Sequence, residues 1–174
     1  MALLIAFFYL IINSGGKKWQ KVVESGRKVG AFFKGEYSHS LDAKGRLIIP
    51  TKFRDLLGEQ FVVTKGFDGC LFVFAQEGWE KFEEKLQALP MDKPEARMLT
   101  RFFLAGAIDA ELDKQGRILI PSNLLEHAKI EKEAIVAGVG SRAEIWSKAE
   151  WEKASTFEDI NGIAAKMSEY GLSL

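Results

Sequence analysis

The sequence is poor in residues that bind metals or catalyse reactions. Its 174 residues include one cysteine, Cys70, and two histidines, His39 and His127. A single cysteine excludes a disulfide bond within the chain and argues against a cysteine-based zinc site. Two histidines exclude a histidine-rich metal site. Gly138 and Gly140 do not match a nucleotide-binding fingerprint. The composition therefore predicts neither a metal nor a cofactor.

The chain also lacks net charge, because 24 Lys and Arg balance 24 Asp and Glu. The balance is uneven along the sequence. Residues 1–31 contain five basic residues and one acidic residue, which gives +4 and leaves −4 for the remainder. A nucleic-acid-binding domain usually has a basic face. Any DNA-binding surface in the remainder must therefore be local, and collected by repeating one small patch around an oligomer.

No apolar run reaches the roughly 18–20 residues that a membrane helix needs. The run MALLIAFFYLII at residues 1–12 is shorter, and it has no basic residues before it as a signal peptide would. A membrane-tethered interaction protein is an alternative that rests on this run alone, and we expect no membrane partner.

One decapeptide occurs twice, as LDAKGRLIIP at 41–50 and as LDKQGRILIP at 112–121, with an offset of 71 residues. Such a repeat indicates that one structural unit is used twice. Asp followed three residues later by Gly is typical of a turn. The branched apolar residues that follow favour a strand, which the proline ends before a short helix. Each copy predicts a hairpin, and the arginine after the glycine, Arg46 or Arg117, is predicted to extend into solvent.

Each copy continues with two further strands and at least one helix. The predicted strands are 61–64, 70–74, 134–139 and 143–146, and the predicted helices are 77–89, 94–105 and 148–154. No Gly/Ser linker separates the copies, so we expect them to share one core. The predicted organisation is an N-terminal extension outside the fold (1–32), a first repeat (33–106), a second repeat (107–154) and a helical tail (155–174).

These motifs resemble the MraZ family of bacterial regulators of the division and cell-wall gene cluster, within the AbrB-like DNA-binding proteins. The resemblance is carried by FKGEYSHSLDAKGRLIIPTKFRDLLG, GFDGCLFVF, TRFFLAGA, LDKQGRILIP and EIWSKAEWE, and covers residues 33–153. It implies an α+β fold in which two tandem swapped-hairpin repeats form a pseudo-twofold, β-barrel-like core flanked by helices. It also implies a transcriptional regulator without catalytic activity, located in the cytoplasm on the nucleoid.

The resemblance further implies that Arg46 and Arg117 face double-stranded DNA. Three residues beside them are predicted to contact DNA, and four are predicted to position the motif: Lys44, Lys114 and Gln115, and Asp42, Gly45, Asp113 and Gly116. An arginine can bind a phosphate or the edge of guanine, and the guanine contact discriminates by roughly 1–3 kcal/mol. The alternative is that each arginine pairs with the aspartate of its own turn, and both interpretations can hold together.

Family resemblance implies closed rings of subunits as the assembly. An AbrB-like antitoxin, with a toxin protein as its main partner, is the alternative binding module. A hydrolase is a third hypothesis because Ser38, His39 and Ser40 are adjacent. On a strand, however, His39 points away from both serines, which makes the geometry of a triad within this segment poor. We expect His39 at the surface or at an interface.

We interpret residues 17–30 as the translation of operator DNA rather than as evolved protein sequence. The resemblance implies autoregulation through TGGG-like direct repeats upstream of the gene, about 10 bp apart. Trp19 fixes one TGG triplet, and suitable codons for the valines and glycines at 22–30 would continue the series. This hypothesis predicts that residues 1–31 are dispensable and that translation in the cell starts near Phe32.

Overall fold

The computed structural model describes residues 32–156, 159–167 and 170–171. The predictions made for residues 1–31, the apolar run and the translated operator, lie outside the described residues. The described residues form eight strands, six α-helices and one 3₁₀ helix, Phe67–Gly69. The strands are β1 (Phe33–Ser40), β2 (Arg46–Ile48), β3 (Gln60–Lys65), β4 (Leu71–Ala75), β5 (Ile108–Glu111), β6 (Arg117–Leu119), β7 (Glu133–Gly140) and β8 (Ala143–Ser147). The helices are α1 (Thr51–Leu57), α2 (Gln76–Gln87), α3 (Pro94–Leu104), α4 (Ser122–His127), α5 (Lys148–Ala154) and α6 (Ile160–Met167).

The predicted helices and strands are all present, with ends that differ by a few residues. The helix predicted at 148–154 coincides with α5, whereas the helix predicted at 77–89 is observed as α2, Gln76–Gln87. Pro50 and Pro121 immediately precede α1 and α4, as expected for a residue that pre-sets a helical φ and ends a strand.

The strands on either side of each motif turn do not pair with each other, so the predicted hairpin in each copy is wrong. β1 pairs with β7 of the second copy, β5 pairs with β3 of the first, and the two short strands β2 and β6 pair together, all antiparallel. Each copy therefore supplies a strand to the sheet of the other. The local turn sequence predicts a reversal of the chain, whereas long-range packing selects the partner.

The register of the ribbon pairs equivalent residues of the two copies. Leu47 faces Ile118, which is its equivalent in the second copy, and the flanking pairs Arg46–Leu119 and Ile48–Arg117 are mirrored about this pair. The copies also meet where β4 pairs with β8, and Phe72 faces Glu144 at the centre of that pairing.

Six strands form one antiparallel sheet in the order β1-β7-β8-β4-β3-β5, and β2 and β6 form a separate two-stranded ribbon. This sheet is open in the part of the chain that the structure describes, with β1 and β5 at its edges. The fold is thus α+β with a mostly antiparallel sheet, and the closed, barrel-like core that the resemblance implies is not observed.

One face of the sheet packs against the ribbon, α1 and α4. This core draws on both copies, including the fully buried Leu47, Phe53, Ile118 and Leu124, which confirms the expectation of a shared core. Burial of one such side chain contributes roughly 1.5–3 kcal/mol. The ribbon is therefore attached to the sheet by its inner face.

The opposite face of the sheet packs against α2 and α3. Strand β3 shows the two-residue period, since Val63 belongs to the first core and Val62 to the second. The second core is rich in aromatic rings, with Phe72, Trp79 and Phe103 at its centre. Both faces of the sheet are thus covered, and the outer face of the β2–β6 ribbon is left open.

Candidate nucleic-acid interface

The first motif forms a turn held by Asp42. The backbone N–H of Gly45 donates to the carbonyl of Asp42 (3.0 Å), and the N–H of Asp42 donates to the carbonyl of Arg46 (2.9 Å). Asp42 Oδ1 also accepts from the backbone N–H groups of Lys44 (2.9 Å) and Arg46 (3.0 Å). Gly45 has φ 75°, a left-handed conformation that glycine adopts without steric cost.

The second motif forms the same turn with the same bonds. Asp113 Oδ1 accepts from the backbone N–H groups of Gln115 (2.8 Å) and Arg117 (3.0 Å). Gly116 has φ 74° and donates to the carbonyl of Asp113 at 2.8 Å. The aspartate and glycine of each motif therefore position the turn, as the sequence predicted from turn chemistry.

Because β2 and β6 are antiparallel, the two turns lie at opposite ends of the three-residue β2–β6 ribbon, and each contacts the other copy. The N–H of Ile49 donates to the carbonyl of Gly116 (2.9 Å), and the N–H of Ile120 donates to the carbonyl of Gly45 (3.0 Å). Each turn is thus fixed to the strand of the other copy. We call residues 42–46 and 113–117 together the double turn.

Both arginines bind aspartate within the double turn. Arg46 Nε donates to Asp42 Oδ2 (2.7 Å). Arg117 Nε and Nη2 donate to Asp113 Oδ2 (2.8 and 2.7 Å), and its Nη1 donates to Asp42 Oδ2 at 3.3 Å. The side chains are 31% exposed for Arg46 and 19% for Arg117. The prediction that the turns extend these cations into solvent is therefore wrong, because the carboxylates hold both side chains against the turns.

The same contacts perturb the aspartates. The side-chain hydrogen bond from Arg117 is the largest influence on Asp113 and lowers its pKa to about 2. For Asp42, desolvation raises the pKa, but the backbone N–H groups of Arg46 and Lys44 outweigh it, so that the pKa lies below its ordinary value. Both carboxylates are ionised at neutral pH and orient the arginines by charge.

The predicted tip residues Lys44, Lys114 and Gln115 are exposed. Within the described part of the chain, the two lysine side chains take part in no salt bridge, and only the backbone N–H of Gln115 is bonded. The outer face of the ribbon adds two exposed apolar residues, Ile48 (39%) and Leu119 (61%). Since paired residues share a face, these side chains lie beside Arg117 and Arg46 respectively.

Arg54 on α1 is a member of this region that the sequence analysis missed. Its Nε donates to the carbonyl of Ile49 at 2.8 Å, and its guanidinium lies directly over Gly116. The equivalent position in the second copy is Leu125, whose Cδ1 lies 3.6 Å from a methyl group built on Gly45. An alignment of the two copies in sequence, at the offset of 71 residues, would have revealed this difference between Arg54 and Leu125.

His39, expected at the surface or at an interface, is half-buried. Its Nε2 is buried and has no hydrogen-bond partner among the described residues. Burial, and then the charge of Arg54, lowers its pKa. The neighbouring Ser38 and Ser40 are exposed on the other side of β1, so the three residues do not converge.

The described residues contain no group of three or more potential ligands that could hold a metal ion. In the same part of the chain, no helix has the length and apolar character needed to cross a membrane.

Comparisons with known proteins match most of the chain. A family model described as "MraZ protein, putative antitoxin-like" matches twice, at residues 32–102 and 103–166. A protein of Thermoanaerobacter sp. (strain X514) named Transcriptional regulator MraZ is 61% identical over 127 residues, which cover 73% of this chain and 89% of that protein. Proteins of the same name from Lachnoclostridium phytofermentans and Moorella thermoacetica are 57% and 49% identical, over 81% and 80% of this chain and 99% of each relative.

Proposed function

This chain belongs to the MraZ family, and on that premise we propose that it is a sequence-specific DNA-binding transcriptional regulator, without catalytic activity, whose DNA-contacting surface is the double turn. The observation that carries the proposal is the juxtaposition of the two motif copies. Two turns of the same geometry, each with an arginine oriented by an aspartate, lie on one open ribbon. Such a pair of cationic turns suits two neighbouring positions on a DNA duplex.

The architecture belongs to the proposal as well. We interpret the two copies as swapped-hairpin, AbrB-like repeats about a pseudo-twofold axis. Support comes from the strand exchange, in which β1 pairs with β7 and β5 with β3. In these two pairings the equivalent residues Tyr37 and Ile108 face Val136 and Val63. The pairing of β2 with β6 is further support, because it brings both turns to one ribbon, as a shared DNA-binding surface requires.

The double turn and the outer face of the ribbon offer three kinds of contact. Lys44 and Lys114 at the tips suit phosphate oxygens, which supply affinity without sequence information. Arg46 and Arg117 suit the O6 and N7 atoms of guanine, and Gln115 suits adenine. Ile48 and Leu119 offer apolar contact to a thymine methyl group. We propose this set as the DNA-contacting surface.

A single double turn is a small site on a chain whose residues 32–174 carry a net charge of −4. We therefore propose that the protein acts as a closed ring of identical subunits, which presents several double turns to repeated operator elements. Linked contacts raise the effective affinity without any new contact within one subunit. Direct repeats upstream of the gene, about one helical turn apart, would place successive turns on one side of the duplex. The site of action is then the nucleoid in the cytoplasm.

Fluorescence anisotropy with two duplexes tests the proposed surface. One duplex carries the DNA immediately upstream of this gene, and the other is a scrambled duplex of the same length and composition. We expect the parent protein to prefer the upstream duplex, and the double variant Arg46→Ala/Arg117→Ala to lose that preference. Lys85→Ala/Arg101→Ala is the charge-matched control, since these two cations are exposed on α2 and α3, away from the double turn. Undiminished preference in the double variant would show that the double turn is not the binding surface.

The salt dependence of the same binding tests the assembly. Each phosphate contact contributes a slope of about −0.9 in log K against log salt concentration. A ring that engages several double turns should therefore show a slope several times that of one subunit, and binding should weaken when dilution dissociates the oligomer. Full affinity in an isolated monomer would contradict the proposed ring.

A further inference from the structure

The two motif arginines occupy equivalent positions, but they do not make equivalent contacts. An arginine has five N–H donors. Arg117 uses three of them on aspartate: Nε and Nη2 on Asp113 and Nη1 on Asp42. Arg46 uses only Nε, on Asp42. Among the described residues neither terminal nitrogen of Arg46 has a hydrogen-bond partner, so its whole terminal fork remains available.

The two turns also differ in the side chains that cover them. Gly116 is buried beneath the guanidinium of Arg54, whose Nε is fixed on the carbonyl of Ile49 at 2.8 Å. Gly45 is half-buried, and its nearest side chain is the apolar Leu125. The second turn is therefore held by a charged side chain from the first copy, whereas the first turn has no corresponding brace.

Asp42 connects the two arginines. Its Oδ2 accepts from Arg46 Nε at 2.7 Å and from Arg117 Nη1 at 3.3 Å. No corresponding bond from Arg46 to Asp113 is present in the described structure. Arg117 thus links its own turn to the carboxylate that orients Arg46, and the link crosses from one copy to the other.

We infer that Arg117 is a positioning residue that acts on DNA recognition through Asp42 and Arg46, and that Arg46 is the arginine that contacts base edges. This inference rests on the proposed function and assigns different roles within its surface. Arg46 retains four N–H donors, including the terminal pair that can bind guanine O6 and N7 together. Arg117 retains two, and using them fully on DNA would require breaking bonds to two carboxylates. The second motif accordingly sets the direction in which the arginine of the first motif points.

A base-pair scan distinguishes this inference from direct contact by both arginines. Each base pair of the upstream duplex is substituted in turn, and the dissociation constant is measured for the parent, Arg46→Ala, Arg117→Ala and the double variant. Discrimination at a position is the ratio of the constants for substituted and unsubstituted duplex. This ratio cancels any loss of folded protein, which affects both constants equally. A merely structural defect would therefore leave the scan unchanged.

We expect Arg46→Ala to lose about 10-fold to 100-fold discrimination at one or two base pairs. Arg117→Ala should lose discrimination at those same base pairs, and the double variant should match Arg46→Ala at every position. If Arg117→Ala relaxes a separate set of base pairs, Arg117 contacts bases itself and the inference is wrong. Should Arg117→Ala fail to fold, Arg117→Gln gives the same comparison, because glutamine retains a donor for one aspartate.

The same data separate this inference from the proposed function. If the parent protein shows no preference for the upstream duplex, the proposed function fails, and the division of roles fails with it. If the parent prefers that duplex but Arg46→Ala discriminates like the parent, the regulator remains and the division of roles is overturned. Asp42→Asn is a further variant, since it weakens the shared acceptor and should relax the same base pairs as Arg46→Ala.

Discussion

Alanine substitutions at Gly45 and Gly116 should differ in their effect on stability, although the two glycines are equivalent in sequence and conformation. Their φ angles are 75° and 74°. A left-handed backbone costs an L-residue about 1–2 kcal/mol, and both variants incur this cost. A methyl group on Gly45 meets the carbonyl oxygen of Ile120 at 3.4 Å, which is ordinary contact. A methyl group on Gly116 overlaps the guanidinium of Arg54.

The difference follows from what Arg54 must give up. Its side chain is flexible and can move, but moving it breaks the bond from Nε to the carbonyl of Ile49. A hydrogen bond from a charged group contributes about 1.5–3 kcal/mol. Gly116→Ala should therefore lower the free energy of unfolding by about 3–5 kcal/mol, against about 1–2 kcal/mol for Gly45→Ala.

Urea denaturation followed by tryptophan fluorescence measures both effects. With an m value of about 2 kcal/mol/M, the two midpoints should lie about 1 M apart. All variants are compared at one protein concentration, because assembly adds to apparent stability. A double-mutant cycle with Arg54→Ala tests the cause. In a protein that already carries Arg54→Ala, Gly116→Ala should lower the free energy of unfolding by no more than Gly45→Ala does. Equal midpoints for the two glycine variants, or an excess cost that persists without Arg54, would refute the role assigned to Arg54.

Three further predictions concern titratable groups. His39 has a lowered pKa in the folded protein, so the unfolded state binds more protons and stability should fall as the pH drops below the ordinary value of 6.5. His39→Gln should flatten the curve of urea midpoint against pH, and an unchanged curve would exclude His39 as the cause. Asp113 has a folded pKa of about 2 against 3.8 ordinarily, so its contribution is complete above 3.8 and is lost as the pH falls toward 2; the difference in stability between the parent and Asp113→Asn should shrink over that range, and a constant difference would contradict this. Cys70 is buried and its pKa is raised, chiefly by burial, so a thiol reagent should react with it only after unfolding; rapid labelling of the native protein would show that the site opens.

Local features of the sequence predicted the elements and the turns. The Asp and Gly of each decapeptide predicted the turn because one aspartate oxygen can accept from two nearby backbone N–H groups, as Asp42 and Asp113 both do. The Asp–Arg pairing within each turn, stated as an alternative to DNA contact, is also present. These interactions span at most four residues, so composition and spacing determine them.

Long-range contacts could not be predicted from the same patterns. The alternating residues of β1 fit a hairpin with β2 as well as they fit β7, and only the assembled core selects β7. The contacts that reach the turns from the other copy were missed for a related reason. Arg117 reaches Asp42 only because β2 and β6 pair, and Arg54 reaches Gly116 only because α1 lies against the other copy's turn. The asymmetry between the motifs thus arises from residues outside them.

The exchange of strands determines how the double turn can act. The spacing of the two turns is set by backbone hydrogen bonds between the copies, from Ile49 to Gly116 and from Ile120 to Gly45, rather than by a linker. A pair of turns joined by a flexible segment would lose conformational entropy on binding DNA. Here that entropy is lost during folding, when Leu47 and Ile118 are buried on the inner face of the ribbon. Neither copy retains this arrangement alone, because the partners of β1, β2 and β5 all belong to the other copy. The duplication therefore supplies more than a second turn: it supplies the support that gives the first turn a fixed orientation.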